Sequence, residues 1–248
     1  MISKLEQFRI YLESKEKEEI ESTYESTEIL EDEYLTNNMR NAYQDMYMDN
    51  SKVKTVMFPN LIGGENINFV CPNIEFPVLV GDDNLEFSIF TKSKKNTISI
   101  PNLKFAKRLE IMNNLSLKVI PSFIGSVDTD INFEHTAINM MPELINCKYI
   151  RIYGHYSKTL SLPKLIGNKN CEIESIWTTI ELPTLKECKI LTLDIRNFKG
   201  APELEYLEEL YYDNISSDGE ELEMSIEELQ NLFPKLDFSK VKVNMYRG

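Results

Sequence analysis

The sequence predicts a repeat solenoid, a fold in which successive chain segments of similar length stack and pair their strands in parallel. Three observations predict it. Eight of the ten prolines recur every 18 to 24 residues, an apolar residue follows each of them by two positions, and an apolar-x-apolar step usually follows by eight and ten positions. The ladder prolines are Pro59, Pro77, Pro101, Pro121, Pro142, Pro163, Pro183 and Pro202.

The apolar-x-apolar step marks a short strand in each repeat. The steps are Ile67/Phe69, Leu85/Phe87, Leu109/Ile111, Ile150/Ile152, Cys171/Ile173, Leu191/Leu193 and Leu210/Tyr212. In the Pro121 repeat the step is displaced by two residues, to Ile131/Phe133, which indicates a small insertion at 126–130. Because side chains alternate along a strand, each step places two apolar residues inside and their neighbours outside.

The other positions of the repeat have matching physical roles. Proline lacks a backbone N–H donor, so we expect it in the extended return limb rather than in the central strand. Glycine follows the proline by four positions in half of the repeats, which indicates a recurring tight turn. These glycines are Gly63, Gly81, Gly125 and Gly167, and the remaining repeats have an apolar residue one position later, at Ala106, Cys147, Cys188 or Leu207.

The repeat unit resembles the short, roughly twenty-residue class of leucine-rich repeat. The segment PNLKFAKRLEIMNNLSLKVI, which begins at Pro101, shows the unit best, with Asn114 at the turn. The resemblance covers about residues 56–215, although most repeats lack the turn asparagine. It implies an α/β repeat with a parallel concave sheet, and it implies that this sheet binds a partner. We therefore divide the chain into 1–50, a solenoid at 51–215 and a cap at 216–248.

The two ends of a solenoid need caps, because each open end would expose the core. Ser225 and Glu228 form a capping-box pattern, which predicts a short helix that Pro234 ends. Phe238, Val241 and Val243 predict a last strand. Residues 1–50 are strongly acidic and keep apolar residues at helical spacing, so we expect two amphipathic helices there. They would form either an N-terminal cap or a partner-binding arm.

Composition narrows the classes of function. The chain has 248 residues, 40 acidic and 27 basic, and a net charge of −13. Such a charge disfavours binding to nucleic acid or to an anionic membrane and favours a partner protein with a basic surface. We find no signal peptide or apolar span, and the four cysteines form no C-x-x-C pair. We therefore expect a cytoplasmic protein with reduced thiols.

The outward strand residues form three columns on the predicted concave face. Under the predicted register, Asn84 and Asn170 belong to the leading column. The face carries nine acids and two arginines and is rich in tyrosine toward its C-terminal half, a composition that indicates a protein-binding patch. The predicted partner-binding residues are Glu110, Met112, Tyr149, Arg151, Tyr153, Glu172, Glu174, Asp194, Tyr211 and Asp213.

Catalysis and metal binding find little support in the sequence. The two histidines, His135 and His155, have no metal-ligand spacing, and we predict no cofactor. Cys147 lies eight residues before His155, but it falls on a core position of the repeat, so we expect a packed thiol rather than a nucleophile.

We predict a non-catalytic protein-binding module, whose size and acidity would suit an inhibitor of the immunity or anti-defence type. Two alternatives remain: a structural protein that self-associates, and an acidic mimic of DNA that acts through residues 1–50.

Overall fold

The computed structural model describes residues 34–36, 41–42, 46–49, 55–64, 66–71, 73–91, 93–175, 178–213 and 223–245. In this part of the chain the protein is a parallel β-solenoid, which confirms the predicted repeat solenoid. The strands are β1 (Tyr34–Thr36), β2 (Asn41–Ala42), β3 (Met46–Asp49), β4 (Thr55–Met57), β5 (Gly63–Gly64), β6 (Asn66–Cys71), β7 (Asn73–Glu75), β8 (Glu86–Thr91), β9 (Ile98–Ser99), β10 (Arg108–Met112), β11 (Asp130–Glu134), β12 (Tyr149–Tyr153), β13 (Thr159–Ser161), β14 (Glu172–Ser175), β15 (Thr179–Glu181), β16 (Ile190–Asp194), β17 (Glu209–Asp213) and β18 (Lys242–Met245).

One sheet runs the length of the described solenoid, and we call it the long sheet. Its ten strands lie in the order β18-β17-β16-β14-β12-β11-β10-β8-β6-β3, and every neighbouring pair is parallel. The return limbs also pair in parallel, in the sheets β1-β4-β7-β9, β13-β15 and β2-β5. Single bridges join Val119 to Met140 and Met140 to Ser161. The described return limbs are therefore extended chain, and they lack the helical part of the α/β repeat that the resemblance implies.

The core is built from the repeating positions that the proline ladder marks. The residue before each proline and the residue two positions after it are buried in all eight repeats. The inward pair of each long-sheet strand completes the core, as with Leu109 and Ile111 in β10. Each coil covers the apolar face of the next, so burial of this surface is the main favourable term for the stack.

Two kinds of coil alternate between Pro77 and Gly200, where a coil is the chain from one ladder proline to the next. The glycine coils, which begin at Pro77, Pro121 and Pro163, have a left-handed glycine four positions after the proline. The lysine coils, which begin at Pro101, Pro142 and Pro183, instead have a buried small residue followed by a lysine. The glycines are Gly81, Gly125 and Gly167, and the small residue and lysine pairs are Ala106/Lys107, Cys147/Lys148 and Cys188/Lys189.

The glycines of the glycine coils are required by two independent constraints. Gly167 has a φ of +74°, a conformation that side chains rarely adopt. A Cβ built on it would lie 2.2 Å from the carbonyl oxygen of Glu187 in the next coil. Gly81 and Gly125 meet backbone carbonyls in the same way, at 2.1 and 2.3 Å. Gly63 differs from these three, because it lies in the short strand β5.

In a glycine coil, the turn at the glycine makes the segment between the proline and the long-sheet strand two residues longer. Two of the predicted strand registers are therefore wrong. In β8 the inward pair is Phe87/Ile89 rather than Leu85/Phe87, and in β14 it is Ile173/Ser175 rather than Cys171/Ile173. The displaced step predicted for the Pro121 repeat, Ile131/Phe133, is confirmed. Asn84 and Asn170 consequently lie in the glycine turns and not in an outward column.

The segment before the proline ladder adds strands to the solenoid. Strand β1 pairs with β4, β2 with β5 and β3 with β6, so this segment forms another coil in the same parallel stack. The helix predicted over these described residues is therefore wrong. The helical spacing included Tyr34, Met46 and Tyr47, but Met46 and Met48 also fit the period-two pattern of strands, and pairing with the next coil decides between the two periods. The first of the two predicted helices, near residues 5–12, lies outside the described residues.

The predicted C-terminal cap is confirmed. Helix α1 (Ile226–Leu232) starts at Ser225, whose hydroxyl accepts a hydrogen bond from the Glu228 backbone N–H while the Glu228 carboxylate accepts one from the Ser225 N–H. Leu229 and Phe233 are buried, and β18 then pairs with β17 as an end strand of the long sheet. Two 3₁₀ turns accompany the cap region, Ile195–Asn197 and Phe238–Lys240.

Candidate functional site

The outward side of the long sheet, which we call the long-sheet face, carries the charge that the sequence predicts. Across β8 to β17 its outward positions hold nine acidic residues and two arginines. They are Glu86, Glu110, Asp130, Glu134, Glu172, Glu174, Asp194, Glu209 and Asp213, with Arg108 and Arg151. The corrected register moves Glu86, Glu172 and Glu174 by one column each without changing this set.

Many of these acids are engaged by basic groups of the same protein. The ammonium group of Lys107 lies 3.0 Å from Glu86, and that of Lys189 lies 3.1 Å from Glu172. In both pairs a lysine coil supplies the cation and the preceding glycine coil supplies the carboxylate. Lys242 of the end strand pairs with Glu209 at 3.1 Å. The face is therefore less negative in effect than its list of acids suggests.

Polar side chains engage two further acids in the middle column. Glu110 accepts hydrogen bonds from the Ser88 hydroxyl at 2.9 Å and from the Asn132 amide at 2.8 Å. Glu174 accepts a hydrogen bond from the Tyr149 hydroxyl at 2.6 Å, and Arg151 lies 3.6 Å from the same carboxylate. These bonds run across neighbouring strands and hold the carboxylates in place. Both acids were predicted to bind a partner, and the structure places them as fixed parts of the sheet surface.

Tyr149 is held more firmly than an exposed tyrosine would be. Partial burial and the hydrogen bond to Glu174 raise the pKa of its phenol well above the ordinary value. The hydroxyl therefore stays protonated and donates to the carboxylate. Tyr211, at the other end of the face, likewise donates its hydroxyl hydrogen to Glu209.

Asp194 and Asp213, both predicted to be exposed binding residues, are buried. Their relative exposures are 7% and 6%. The 3₁₀ turn that follows β16 folds Arg196 back, so that its Nε and Nη2 lie 2.8 and 2.5 Å from the Asp194 carboxylate. The prediction placed them in the correct outward column, but the turn covers Asp194 and makes it structural. The C-terminal end of the face therefore exposes less acidic surface than the sequence predicts.

Exposed aromatic side chains gather instead beyond the trailing edge of β8 to β12. Phe90, Met112, Glu134 and Tyr153 occupy equivalent positions in four neighbouring strands. Phe90 is 40% exposed and Tyr153 is 44% exposed. Tyr156 follows shortly after β12 and is 51% exposed. We call the following six residues the aromatic patch: Phe90, Lys94, Met112, His135, Tyr153 and Tyr156.

Contacts between coils organise one half of the aromatic patch. The His135 ring packs edge-on against Tyr153, with centroids 6.0 Å apart, and lies 6.2 Å from the ring of Tyr156. The ammonium of Lys94, three coils away, lies 4.1 Å from the Tyr156 ring centroid and donates to its hydroxyl. These contacts fix the aromatic rings while leaving a large part of each exposed.

The backbone at the strand ends explains why these side chains project. Asn113, His135 and Gly154 immediately follow β10, β11 and β12, and all three have a positive φ, of 57°, 51° and 57°. The Asn113 N–H donates to the Glu134 carbonyl, and the His135 N–H donates to that of Tyr153. A recurring left-handed residue thus turns the chain at the same level in three successive coils.

His155 serves the structure rather than the patch. One ring nitrogen lies 3.1 Å from the Thr136 hydroxyl and the other lies 2.6 Å from the Ile138 carbonyl oxygen. Burial lowers the pKa of the imidazole below its ordinary value. Both nitrogens are therefore engaged away from Cys147, and the structure does not assemble the cysteine–histidine pair considered from the sequence.

The return side carries a second exposed apolar surface. The residues three positions after the proline form a column, and the backbone of each donates to the carbonyl of its predecessor, as Ile145 does to Ile124 and Ile166 to Ile145. We call its four exposed aliphatic residues the aliphatic ridge: Ile62, Val80, Ile145 and Ile166. Lys104 interrupts the ridge.

Sequence reasoning placed all ten predicted residues at outward positions of the long sheet, although Asp194 and Asp213 are buried there. Met112 and Tyr153 belong to the aromatic patch, while Glu110 and Arg151 flank it. It missed Phe90 because the register of β8 was displaced, and it missed Lys94, His135 and Tyr156 because they lie after strand ends. In each glycine coil the strand begins two residues later after the proline than it does in a lysine coil. This longer distance is the signal that would have located Phe90.

The fold defines the class of this protein as a parallel β-solenoid repeat protein. Comparison of the chain with protein-family models, with curated proteins and with solved structures finds no match. In the described ranges, no group of three or more histidine, cysteine, aspartate or glutamate side chains is arranged to hold a metal ion. None of the helices in the same ranges is long and apolar enough to cross a membrane.

Proposed function

We propose that the protein is a non-catalytic binding module that engages a partner protein through the aromatic patch. The observation that carries this proposal is the exposure of Phe90 and Tyr153 on the long sheet and of Tyr156 shortly after β12. Tyrosine and other aromatics contribute strongly to protein interfaces because they offer a large contact area at a small entropic cost. The contacts of His135 and Lys94 reduce that cost further by fixing the rings before binding.

The chemistry around the patch favours a partner with basic and apolar groups. Glu134 lies between Met112 and Tyr153 in the trailing column, and its carboxylate is partly exposed. Arg151 and Glu174 border the patch on the middle column. The net charge of −13 would speed the approach of a basic partner. An inhibitory role, in which the patch blocks the working surface of the partner, is one form this function could take.

Two aromatic side chains with similar surroundings allow a matched test. Tyr156 has the Lys94 ammonium 4.1 Å from its ring centroid, and Tyr206, on the return side, has that of Lys169 at 5.1 Å. We would capture partners from a lysate of the native host on the wild type, a Tyr153→Ala/Tyr156→Ala variant and a Tyr206→Ala variant. We expect the first and third to hold the same partner and the second to bind it at least about tenfold more weakly.

The same experiment can contradict the proposal. Equal retention of the partner by the patch variant and the wild type would exclude the aromatic patch as the binding site. Loss of the partner in the Tyr206→Ala variant alone would move the site to the return side. Unfolding curves of all three proteins would separate lost binding from lost folding.

Self-association is a second candidate function, and the aliphatic ridge favours it. Ile62, Val80, Ile145 and Ile166 are exposed in one column, and exposed apolar surface is typical of contacts between proteins. Light scattering over a concentration series tests this role, since self-assembly predicts an oligomer from the protein alone. Ile145→Lys/Ile166→Lys should then return the protein to the monomer. The DNA-mimic alternative rests on residues 1–50, of which most lie outside the described part of the chain.

We also propose that the repeat is a divergent relative of the short leucine-rich repeat. The proline ladder and the inward apolar pair of each strand support this relationship. The extended return limbs count against a close one. A solved structure of a protein with detectable similarity to both would test it.

A further inference from the structure

A column of buried side chains lies at the corner before the long sheet. In a lysine coil its member stands two residues before the strand, and in a glycine coil it stands one residue before the strand. From the Pro77 coil to the Pro202 coil the column contains Leu85, Ala106, Thr129, Cys147, Cys171, Cys188 and Leu207. Three cysteines therefore follow one another in consecutive coils.

The middle cysteine touches both of its neighbours. The Sγ atoms of Cys147 and Cys171 are 3.5 Å apart. The Cys188 thiol is directed to backbone carbonyls, at 3.2 Å from that of Cys171 and 3.1 Å from that of Ile190. The Cys147 and Cys171 sulfur atoms are in direct contact, whereas the Cys188 thiol is directed to carbonyl oxygens, so Cys147 and Cys171 are the pair best placed to react.

We propose that Cys147 and Cys171 form a reversible disulfide on oxidation, which joins two neighbouring coils covalently. With hydrogen peroxide as the oxidant, one thiolate attacks the peroxide and becomes a sulfenic acid, with release of one water after proton transfer. The second sulfur attacks the sulfenic sulfur, its proton leaves with the hydroxide as a second water, and the S–S bond forms. Two thiols lose two electrons in total, and the peroxide gains them.

The spacing of the coils suits this bond. Strands that pair in parallel lie about 4.8 Å apart. A disulfide needs its two Cα atoms about 4.4–6.8 Å apart, which neighbouring coils provide without large backbone movement. The obstacle to the reaction is access of the oxidant to the sulfur atoms, because Cys147 and Cys171 are fully buried. A contact with the Cys171 thiol and burial raise the pKa of Cys147, whereas contacts with Cys147 and Cys188 lower the pKa of Cys171. The reaction should consequently be slow and should follow local opening of the stack.

The position of the pair links it to the long-sheet face. Cys147 stands two residues before Tyr149, and Cys171 stands directly before Glu172. The Tyr149–Glu174 hydrogen bond joins the same two coils on the outer surface. A disulfide would therefore restrain the coils directly beneath these face residues.

Tryptic digestion separates the three cysteines and makes the test direct. Cys147, Cys171 and Cys188 lie in the peptides 119–148, 170–186 and 187–189. We would treat the full chain with hydrogen peroxide, alkylate the remaining thiols in denaturant and map the linked peptides by mass spectrometry. We expect peptides 119–148 and 170–186 to be joined, with the loss of two hydrogen atoms, and to separate again after reduction.

We would choose the time and temperature of the oxidation from the hydrogen exchange of peptide 119–148. Exchange of its buried amides shows that the stack has opened, so samples would be taken only after many such openings. If the peptide exchanges but Cys147, Cys171 and Cys188 all remain free thiols that can be alkylated after the peroxide treatment, the proposal is overturned. A link between peptides 170–186 and 187–189 in place of the expected one would also overturn it.

Two variants and a stability measurement complete the test. Cys188→Ala should keep the link, whereas Cys147→Ala should abolish it. If the Cys147→Ala protein fails to fold, the wild-type peptide map still decides. In the wild type the linked form should have a Tm higher by roughly 5–10 °C, because the bond restricts the unfolded chain. An unchanged Tm in fully linked protein would contradict the proposal that the disulfide restrains the two coils.

Discussion

Glycine coils and lysine coils bury the same kinds of side chain but turn the corner before the long sheet differently. In a glycine coil the chain enters a left-handed turn at the glycine, as at Gly167. The Asn168 side chain then accepts a hydrogen bond from the Asn170 N–H at 2.8 Å. In a lysine coil a small buried residue such as Cys188 reaches the same interior column without the turn.

The difference shows that neighbouring coils are complementary and not interchangeable. The space that a glycine leaves open is filled by a carbonyl oxygen of the next lysine coil. At two of the three junctions, that lysine coil supplies the cation that pairs with the carboxylate at the start of the glycine coil's strand. A pair of coils, about 40 residues long, is therefore the structural unit of this part of the solenoid.

The largest expected effect comes from filling the space at a glycine turn. Gly167→Ala would place a methyl group against the Glu187 carbonyl at a positive φ, so we expect a loss of about 3 kcal/mol in the free energy of unfolding. Glu187→Ala at the matching position of the lysine coil is the control and should change stability by less than about 0.5 kcal/mol. Urea unfolding measures both, and equal losses would mean that the two corners are not distinct.

A smaller effect should follow from removing a buried hydroxyl in a glycine coil. The Thr129 hydroxyl donates to the Ala106 carbonyl at 2.8 Å and accepts from the Ser126 N–H at 2.8 Å. Thr129→Val keeps the shape but leaves both groups without this partner, so we expect a loss of about 1–2 kcal/mol in the free energy of unfolding. Thr97→Val, at an exposed position of the return limb, provides the control for the same chemical change. If both variants lose the same stability, the bond across the coils contributes nothing.

A pH dependence should distinguish the coil that begins at Pro142. The pKa of His155 is lowered in the folded protein, so the unfolded chain takes up a proton at a higher pH than the folded protein does. Stability from this group is therefore present above about pH 6.5 and is lost as the pH falls below it. We expect the free energy of unfolding to fall less between about pH 8 and about pH 5 in His155→Gln than in the wild type. Parallel curves for the two proteins would contradict the assignment.

The smallest effect should come from the surface ion pair between the two kinds of coil. Lys107 and Glu86 are both substantially exposed, so Lys107→Ala should cost less than about 1 kcal/mol in the free energy of unfolding. High salt should reduce this loss further, because it screens exposed charges. Lys104→Ala, in the same coil, controls for the loss of a lysine. A salt-independent loss would indicate that the Lys107 stem, rather than its charge, stabilises the coil.

Much of the fold follows from the sequence because proline, apolar spacing and parallel pairing act together. The residues around each ladder proline and six of the eight predicted inward steps were placed correctly. The two errors of register, at Leu85/Phe87 and Cys171/Ile173, both fall in glycine coils. Leu85 and Cys171 are also buried, so in β8 an apolar-x-apolar step exists in both registers, and in β14 the apolar step Cys171/Ile173 competes with the true inward pair Ile173/Ser175. Only the pairing of strands with their neighbours resolves the choice.

The candidate site was harder to predict than the fold. Alternation along β16 and β17 assigns Asp194 and Asp213 outward positions correctly, but it contains no information on the turn that returns Arg196 over Asp194. The patch residues Lys94 and Tyr156 are 62 positions apart in the chain. They meet because coils stack, which a pattern within one repeat does not reveal.

The complementarity of neighbouring coils also constrains how such a protein could change in length. Removal of a single coil from the alternating region would place two corners of the same kind against each other and leave a glycine without its carbonyl or a lysine without its acid. Removal or duplication of two successive coils would preserve every junction. Insertions and deletions in this region should therefore be tolerated best when they add or remove two successive coils.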